Sequence, residues 1–600
     1  MNGWIGTTLR VDLGSGTIKR EATNMTVAHE YIGARGMGVK IISDEVDPKA
    51  DALGPDNKLV FAPGPFTGTF APSGGRYNVI TKSPLNGTIA ASNSGGVFGP
   101  ELKFAGYDAL IVEGQSATPV YLWIKNDKVE IRDASAVWGM TVADTTEALR
   151  ADTDHEAKVA CIGPPGENLS LISAIMNEMH RAAGRTGVGA VMGSKKLKAI
   201  AVVGTGAVRV AEPAAFKAAV MDSCEKIAAN PVGGAGLKAY GTNVLVNILN
   251  QTGGLPTRNF QEAVFEDADM IGGETLAANQ LVRPKGCFSC IISCGRVTKV
   301  TNPLYAGIGE GPEYESAWGF GADSGINNLD AILKANFLCN DYGLDTISMG
   351  ATIACAMELY ELGYLTQEDT DGLELVWGNA HAMVELVRKT CVGEGFGKRL
   401  AEGSYRLADS VGHPELSMTV KKQEMPAYDP RAIQGIGLNY ATSNRGGCHV
   451  RGYTIAHEVL GQGPPTDPGA VEGKAGLDVA FQDLTAALDS SGACVFVTFG
   501  IGAAELANML STLTGFPYSP EEFVKAGARV WNLERLWNLS NGFTTADDTL
   551  PKRLLTEPIP SGPAKGQVSR LAEMLPEYYS VRGWDENGVP TPAKLAELSL

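Results

Sequence analysis

From the N-terminus to Val203 the apolar positions recur mainly every second residue, and beyond Val210 they recur at helical spacing. Leu9–Arg10–Val11–Asp12–Leu13 alternates, turns at Gly14–Ser15–Gly16 and resumes at Thr17–Ile18–Lys19, which predicts a hairpin. Val120 to Ile124, the turn Lys125–Asn126–Asp127 and Val129 to Ile131 predict a second. Further short strands are predicted at Leu59–Phe61, Asn78–Ile80, Leu110–Val112 and Ala199–Val203. Helices are predicted over Pro213–Ala229, Leu329–Leu338, Ile347–Leu362, Thr366–Val387, Val471–Leu488 and Pro520–Asn538. The order gives an α+β chain: a strand-rich domain over 1–210, then a helical region too long for one core. A Gly- and Pro-containing stretch near Ser417 divides that region into 211–417 and 418–600.

The chain has 600 residues, 44% of them apolar, and a formal net charge of -17. The acidic balance excludes nucleic acid, whose phosphates need clustered Lys and Arg, and suits solubility or docking to a basic protein. No apolar run is long enough to cross a membrane, and Met1 to Gly14 lacks the apolar core of a signal peptide. A reducing cytoplasm is therefore expected. The ten cysteines agree, being mostly scattered singly rather than spaced as a disulfide framework.

Cys287–Phe–Ser–Cys290–Ile–Ile–Ser–Cys294 is the one tight array, a CxxCxxxC spacing that wraps three thiolates around one centre. An iron–sulfur cubane needs a fourth ligand from the remaining seven cysteines. Cys494 stands out because it follows Asp489–Ser–Ser–Gly492, a turn closing a predicted helix. A structural zinc site is the alternative, although zinc would ordinarily show a second CxxC or an HxxxH pair. Three glycine-rich loops come earlier: Pro72 to Arg76, Ser92 to Gly96 and Ala182 to Gly187. Each exposes backbone N–H groups, and two add an arginine, a way to hold phosphate oxygens. Singly each is an ordinary turn; together they point to a large anionic cofactor. None has the Walker or dinucleotide fingerprint.

Over nearly its whole length the sequence resembles the tungsten-containing aldehyde:ferredoxin oxidoreductase family. The resemblance runs through Tyr31 to Gly36, Gly64 to Thr69, Arg76, Asn93, Gly184–Arg–Thr–Gly–Val–Gly189, Met192 to Lys195 and the cysteine array. It continues at Gly311–Pro–Glu313, Gly343 to Ser348, Arg445–Gly–Gly–Cys448–His449, Asp489 to Cys494, Arg582 to Asp585 and Pro590–Thr591. It implies two N-terminal β-sheets forming a base for the cofactor, under two mostly helical domains. The implied cofactors are tungsten held by two pterins, a [4Fe–4S] cluster on Cys287, Cys290, Cys294 and Cys494, and Mg2+ on main-chain oxygens near Asn93 and Ala182.

By the same resemblance Arg76, Asn93, Gly95, Arg181, Ala182, Gly184 and Arg185 line the phosphate side. Two DxxGL(C/D) segments would hold the pterin rings, because a carboxylate accepts two parallel N–H bonds from a pyrimidinone edge. Asp489 to Cys494 fits one, with Ala493 in place of leucine. The other, Asn340 to Asp345 through Leu344, departs at Asn340, so that contact is weaker or has moved to Asp341; Asp345 could also cap a helix. Arg445 and Arg451 are further cofactor contacts, and Cys448 reads as a small buried residue. Glu313 is implied as base and His449 as the hydrogen-bonding acid in oxidation of an aldehyde by water. Electrons would pass to a ferredoxin-like protein, or to a nicotinamide through a separate flavin subunit. An oligomer is expected; some family members share a metal between subunits, and His381 lies near that place without a Glu partner. The competing readings are a tungsten-dependent aryl-CoA reductase subunit and a non-catalytic iron–sulfur carrier.

Overall fold

The computed structural model describes residues 1–600. The alternating segments build two six-stranded sheets. The first runs Thr17–Ala22, Thr7–Asp12, Ala109–Glu113, Leu59–Pro63, Tyr77–Lys82, Ile89–Ser94. The second runs Arg181–Ala183, Ile175–Asn177, Lys158–Cys161, Leu197–Val203, Val120–Lys125, Lys128–Asp133. Both predicted hairpins are present, with Leu9 opposite Arg20 and Leu122 opposite Ile131. Strands such as Tyr77–Lys82 are buried along their whole length because both faces are covered. One apolar cluster takes Tyr77 and Leu110 from the first sheet and Leu122 and Ile200 from the second, so the sheets pack as one base.

Beyond it the chain is helical. Pro213–Ala229 starts on its proline, where the missing N–H costs nothing. Leu329–Tyr342, Thr346–Glu361, Lys474–Ser491 and Pro520–Asn541 occupy the other predicted segments, shifted by a few residues. The last opens on a capping box between Ser519 and Glu522. The helix expected over Thr366–Val387 is corrected: it spans Ala380–Val392, and residues 366–379 turn. Asp369 accepts from both the N–H and the hydroxyl of Thr366, a local loop that competes with helix, and Gly372 and Gly378 take φ 84. A small sheet of Leu281–Lys285, Gly295–Val300 and Gly307–Glu310 frames the cysteine array. One cluster of 91 buried residues runs through the helical region, and Ser417 stands just before the short hairpin Thr419–Val420 and Gln423–Glu424. No helix is long and apolar enough to cross a membrane.

A buried ion pair joins the base to the helices. Arg35, in the helix Ala34–Glu45, donates to both carboxylate oxygens of Glu534 at 2.9 and 2.8 Å and to Asp489 at 3.3 Å. Removing one partner leaves buried charge uncompensated, which costs far more than the pair itself contributes. Arg35→Met is expected to destabilise the fold by about 3–5 kcal/mol, read as a lower unfolding midpoint in urea.

Candidate active site and metal centre

Cys287, Cys290 and Cys294 lie on the loop between the strands Leu281–Lys285 and Gly295–Val300. Ser289 and Ser293 sit at φ 52 and 54, a left-handed backbone that coils the loop tightly. Cys494 arrives from the end of the helix Lys474–Ser491, where Gly492 at φ 88 ends the helix and redirects the chain. All four cysteines line one hollow, together with Ser73, Arg76, Arg181 and Phe496. Gly95 backs it: a Cβ there would stand 2.9 Å from Cys287 Sγ and 3.3 Å from Arg76 Cζ.

Arg76 donates to Asn93 Oδ1 at 3.1 Å and to Cys494 Sγ at 3.0 Å, so it links the glycine-rich loops to the fourth cysteine. Burial works against its charge, and the sulfurs of Cys494, Cys287 and Cys294 more than restore it. Burial, then Glu313, hold the Cys294 thiol well above the usual thiol range, so its proton leaves only when positive charge arrives. No three or more His, Cys, Asp or Glu side chains form a single-ion cage. Four thiols spread around a hollow with two arginines suit a multi-iron cluster better than a lone zinc.

The neighbouring wall is built of arginines. Arg185 donates to Asp345 Oδ2 at 3.2 Å and to the carbonyls of Gly447 and Glu424 at 2.7 and 2.6 Å. Arg445 donates to the Ala91 carbonyl at 2.7 Å and to Cys448 Sγ at 3.0 Å, and its Nε has no partner. Arg451 donates to the same carbonyl and, at 2.8 Å, to Asp489 Oδ2. Burial, then Arg35 and Arg445, lower Arg451 to about 9, still cationic at neutral pH. Burial alone would raise the Cys448 thiol, but Arg445, Arg451 and Arg185 bring it below its ordinary value. Buried guanidiniums in excess of nearby carboxylates are costly unless an anion offsets them. A phosphate-bearing cofactor fits this wall. Gly184 leaves room for it: only Ala182 Cβ, at 3.7 Å, would meet a Cβ there.

The two segments expected to hold the pterin rings fare differently. Asp489 is reached by Arg451, Arg35 and, at 3.4 Å, Asn93. Ala493 follows on the same buried turn. Asn340 donates to the Glu310 carbonyl at 3.0 Å, which ties it to the small sheet. Asp341 does not replace it, since it accepts from the Ala143 amide at the start of the helix Val142–Asp152. Asp345 does cap the helix Thr346–Glu361, accepting from Ile347 N at 3.1 Å and Ser348 Oγ at 2.6 Å, and pairs with Arg185 as well. Leu344 is buried beside it. Arg181 pairs with Glu310 at 2.8 Å at the edge of the cysteine hollow.

The structure places the two residues expected as acid and base apart. Glu313 is the residue before the helix Tyr314–Phe320; its carboxylate accepts from Thr242 Oγ1 at 2.6 Å and bears on Cys294, not on His449. Glu315 lies two positions on, roughly 200° around the helix, and its Oε1 stands 3.5 Å from His449 Nε2. The sequence Glu313–Tyr–Glu315 offers both carboxylates, and only their helical phase selects between them. Burial raises the Glu315 carboxyl to about 8, and burial with Arg185 and Arg445 lowers His449 to about 3. At neutral pH both are therefore uncharged, and the 3.5 Å contact is a polar one and not a salt bridge. His449 Nδ1 and Glu315 Oε1 are buried with no hydrogen-bond partner. Tyr428 and Tyr453 pack beside this pair, their rings 5.6 and 6.1 Å from His449 and their hydroxyls 3.0 Å apart.

Comparison with known proteins agrees over the full chain. The family model described as aldehyde ferredoxin oxidoreductase, N-terminal domain, matches residues 8–204, and that for domains 2 and 3 matches residues 218–600. The chain belongs to the aldehyde ferredoxin oxidoreductase family. It is 52% identical over 604 residues to tungsten-containing aldehyde ferredoxin oxidoreductases of Thermococcus kodakarensis and Pyrococcus furiosus, covering 100% of this chain and 99% of each relative. It is 30% identical to the WOR-like subunit of an aliphatic sulfonate oxidoreductase of Pyrococcus furiosus, covering 100% of this chain and 97% of that protein. The solved active-site complex BamBC of benzoyl coenzyme A reductase, in complex with 1,5-dienoyl-CoA, superposes with a TM-score of 0.86 at 26% identity, covering 100% of this chain and 97% of that one.

The hollow separates Cys287, Cys290, Cys294 and Cys494 from the other six cysteines. Cys494→Ser is expected to lose most of the roughly four irons of a cubane, whereas Cys448→Ser keeps them; elemental analysis of the purified variants checks both.

Proposed function

We propose that the protein oxidises aldehydes with water, RCHO + H2O giving RCOOH, two protons and two electrons, and passes the electrons to a ferredoxin-like acceptor. The observation that carries this reading is a pair of buried, unpartnered atoms, His449 Nδ1 and Glu315 Oε1, on two side chains in contact at 3.5 Å and within the field of Arg185 and Arg445. The 52% identity to tungsten-containing enzymes supports tungsten held by two pterins. Cys287, Cys290, Cys294 and Cys494 would hold a [4Fe–4S] cluster; Arg76, Arg185, Arg445 and Arg451 would meet the anionic pterin groups. Main-chain oxygens near Asn93 and Ala182 would hold Mg2+, which would offset phosphate charge. When bound, the tungsten–pterin group supplies the two-electron sink.

The chain's own residues handle the carbonyl and the protons. His449, neutral because burial and two arginines forbid its cation, donates an N–H to the carbonyl oxygen and polarises it without giving up a proton. Glu315 is the base that takes a proton from the attacking water. A carboxyl raised to about 8 is a strong base once ionised and titrates near working pH. Tyr428 and Tyr453 keep bulk water away. The benzoyl coenzyme A reductase shares the fold at lower identity. The two readings part on assay: aldehyde-dependent reduction of a viologen dye by tungsten-loaded protein supports ours, and aryl-CoA reduction without aldehyde turnover refutes it. A nicotinamide acceptor would need a separate flavin subunit.

Because Glu315 must lose its proton to act, kcat/KM is expected to rise with pH up to about 8. Glu315→Gln should remove that rising limb and lower kcat about 10²–10⁴-fold with tungsten and iron retained. Glu313→Gln should keep the limb, as a pH–rate series on both variants would reveal.

A further inference from the structure

We propose that an acidic iron–sulfur protein docks over the Cys287–Cys294 loop, seated in a hollow formed by Phe70, Val208 and Phe288 and held by Arg209 and Arg283. The inference rests on the aldehyde-oxidising reading and names the face through which its electrons leave. The hollow is a surface depression of about 420 Å3. One wall is Phe288 and Ser289, the residues between Cys287 and Cys290, so whatever fills it touches the cysteine loop directly. The opposite wall is Phe70, 52% exposed although its ring lies 5.1 Å from Phe216, and Val208. The Ser73 N–H donates to the Ser289 carbonyl at 2.8 Å, which fixes the loop against the base. Single exposed apolar side chains need no explanation; several lining one hollow against a redox loop mark a contact surface.

Charge selects the occupant. The chain is acidic at -17, yet from Leu281 to Gly309 it carries Arg283, Lys285, Arg296 and Lys299 and no carboxylate. Arg283 and Lys299 are exposed, while Lys285 is taken up by Glu310. Arg209, between the hollow-lining Val208 and Val210, is exposed as well. The overall charge pointed to a basic partner; along the stretch that carries the cysteine loop the local distribution reverses the sign, and Glu212 is the exposed carboxylate next along the chain from Arg209. An acidic carrier is repelled by most of the surface and drawn to this patch, which orients it with its own cluster toward the cysteine loop. Each transfer moves one electron outward and makes or breaks no bond, so one aldehyde oxidised reduces two one-electron carriers. Redox encounters of this kind are small and short-lived, which matches an apolar hollow with a few cations better than a broad seam.

The test uses the metal-loaded enzyme and a purified ferredoxin of acidic isoelectric point. Isothermal titration calorimetry gives the Kd at low salt and at about 0.5 M salt, where surface charges are screened. Arg209→Glu with Arg283→Glu is expected to weaken binding roughly tenfold or more and to flatten its salt dependence. Phe70→Asp is expected to weaken it comparably, and viologen-linked aldehyde turnover should be unchanged in both. Wild-type affinity in both variants, or no binding by the wild type, overturns the docking site. So does a Phe70→Asp variant that dissociates an oligomer, since the hollow would then be a seam between subunits. Wild-type enzyme without viologen-linked aldehyde turnover would instead strike the functional reading, and leaves the calorimetric comparison to judge the docking surface by itself.

Discussion

At Gly64 a methyl group would stand 2.3 Å from the Ser491 carbonyl, and at Gly492 one would stand 2.3 Å from Thr67 Oγ1. The sheet base and the end of a long helix therefore touch backbone to backbone, and the rest of the site depends on that contact. It places Asp489, on the last turn of the helix, among Arg35, Arg451 and Asn93, and Cys494, just past it, against Arg76. One six-residue segment, Asp489 to Cys494, thus reaches both the arginine wall and the cysteine hollow. Any side chain at Gly64 would push the two centres apart together.

Electrostatics explains why the chamber has its particular chemistry. Arg35 is matched by Glu534, but Arg445 finds only a carbonyl and a thiol. The resulting positive potential favours an anionic cofactor and suppresses the imidazolium form of His449. Glu315 lies deeper among tyrosines, where burial dominates and the carboxyl keeps its proton to about 8. The same interior therefore yields a neutral imidazole and a carboxyl still protonated at neutral pH from two ordinary side chains, each tuned by what surrounds it.

A comparable division of charge operates at the surface. Most of the molecule is acidic, and the basic stretch around the cysteine loop is local. Composition averages the two and so conceals the feature that distinguishes one face from the others.

The sequence alone determined the α+β order, the two hairpins, most helices and the cysteine and arginine motifs, because these are written in local periodicity and in residue type. It could not place the break over residues 366–379, where a Thr366–Asp369 turn outcompeted a helical pattern. Nor could it show that Glu315, and not the expected Glu313, lies beside His449, or that Asn340 and Asp341 are spent on the Glu310 carbonyl and the Ala143 amide. Those outcomes were decided by tertiary structure: by helical phase, by burial and by partners 30 to 198 positions away, none of which leaves a trace in spacing along the chain.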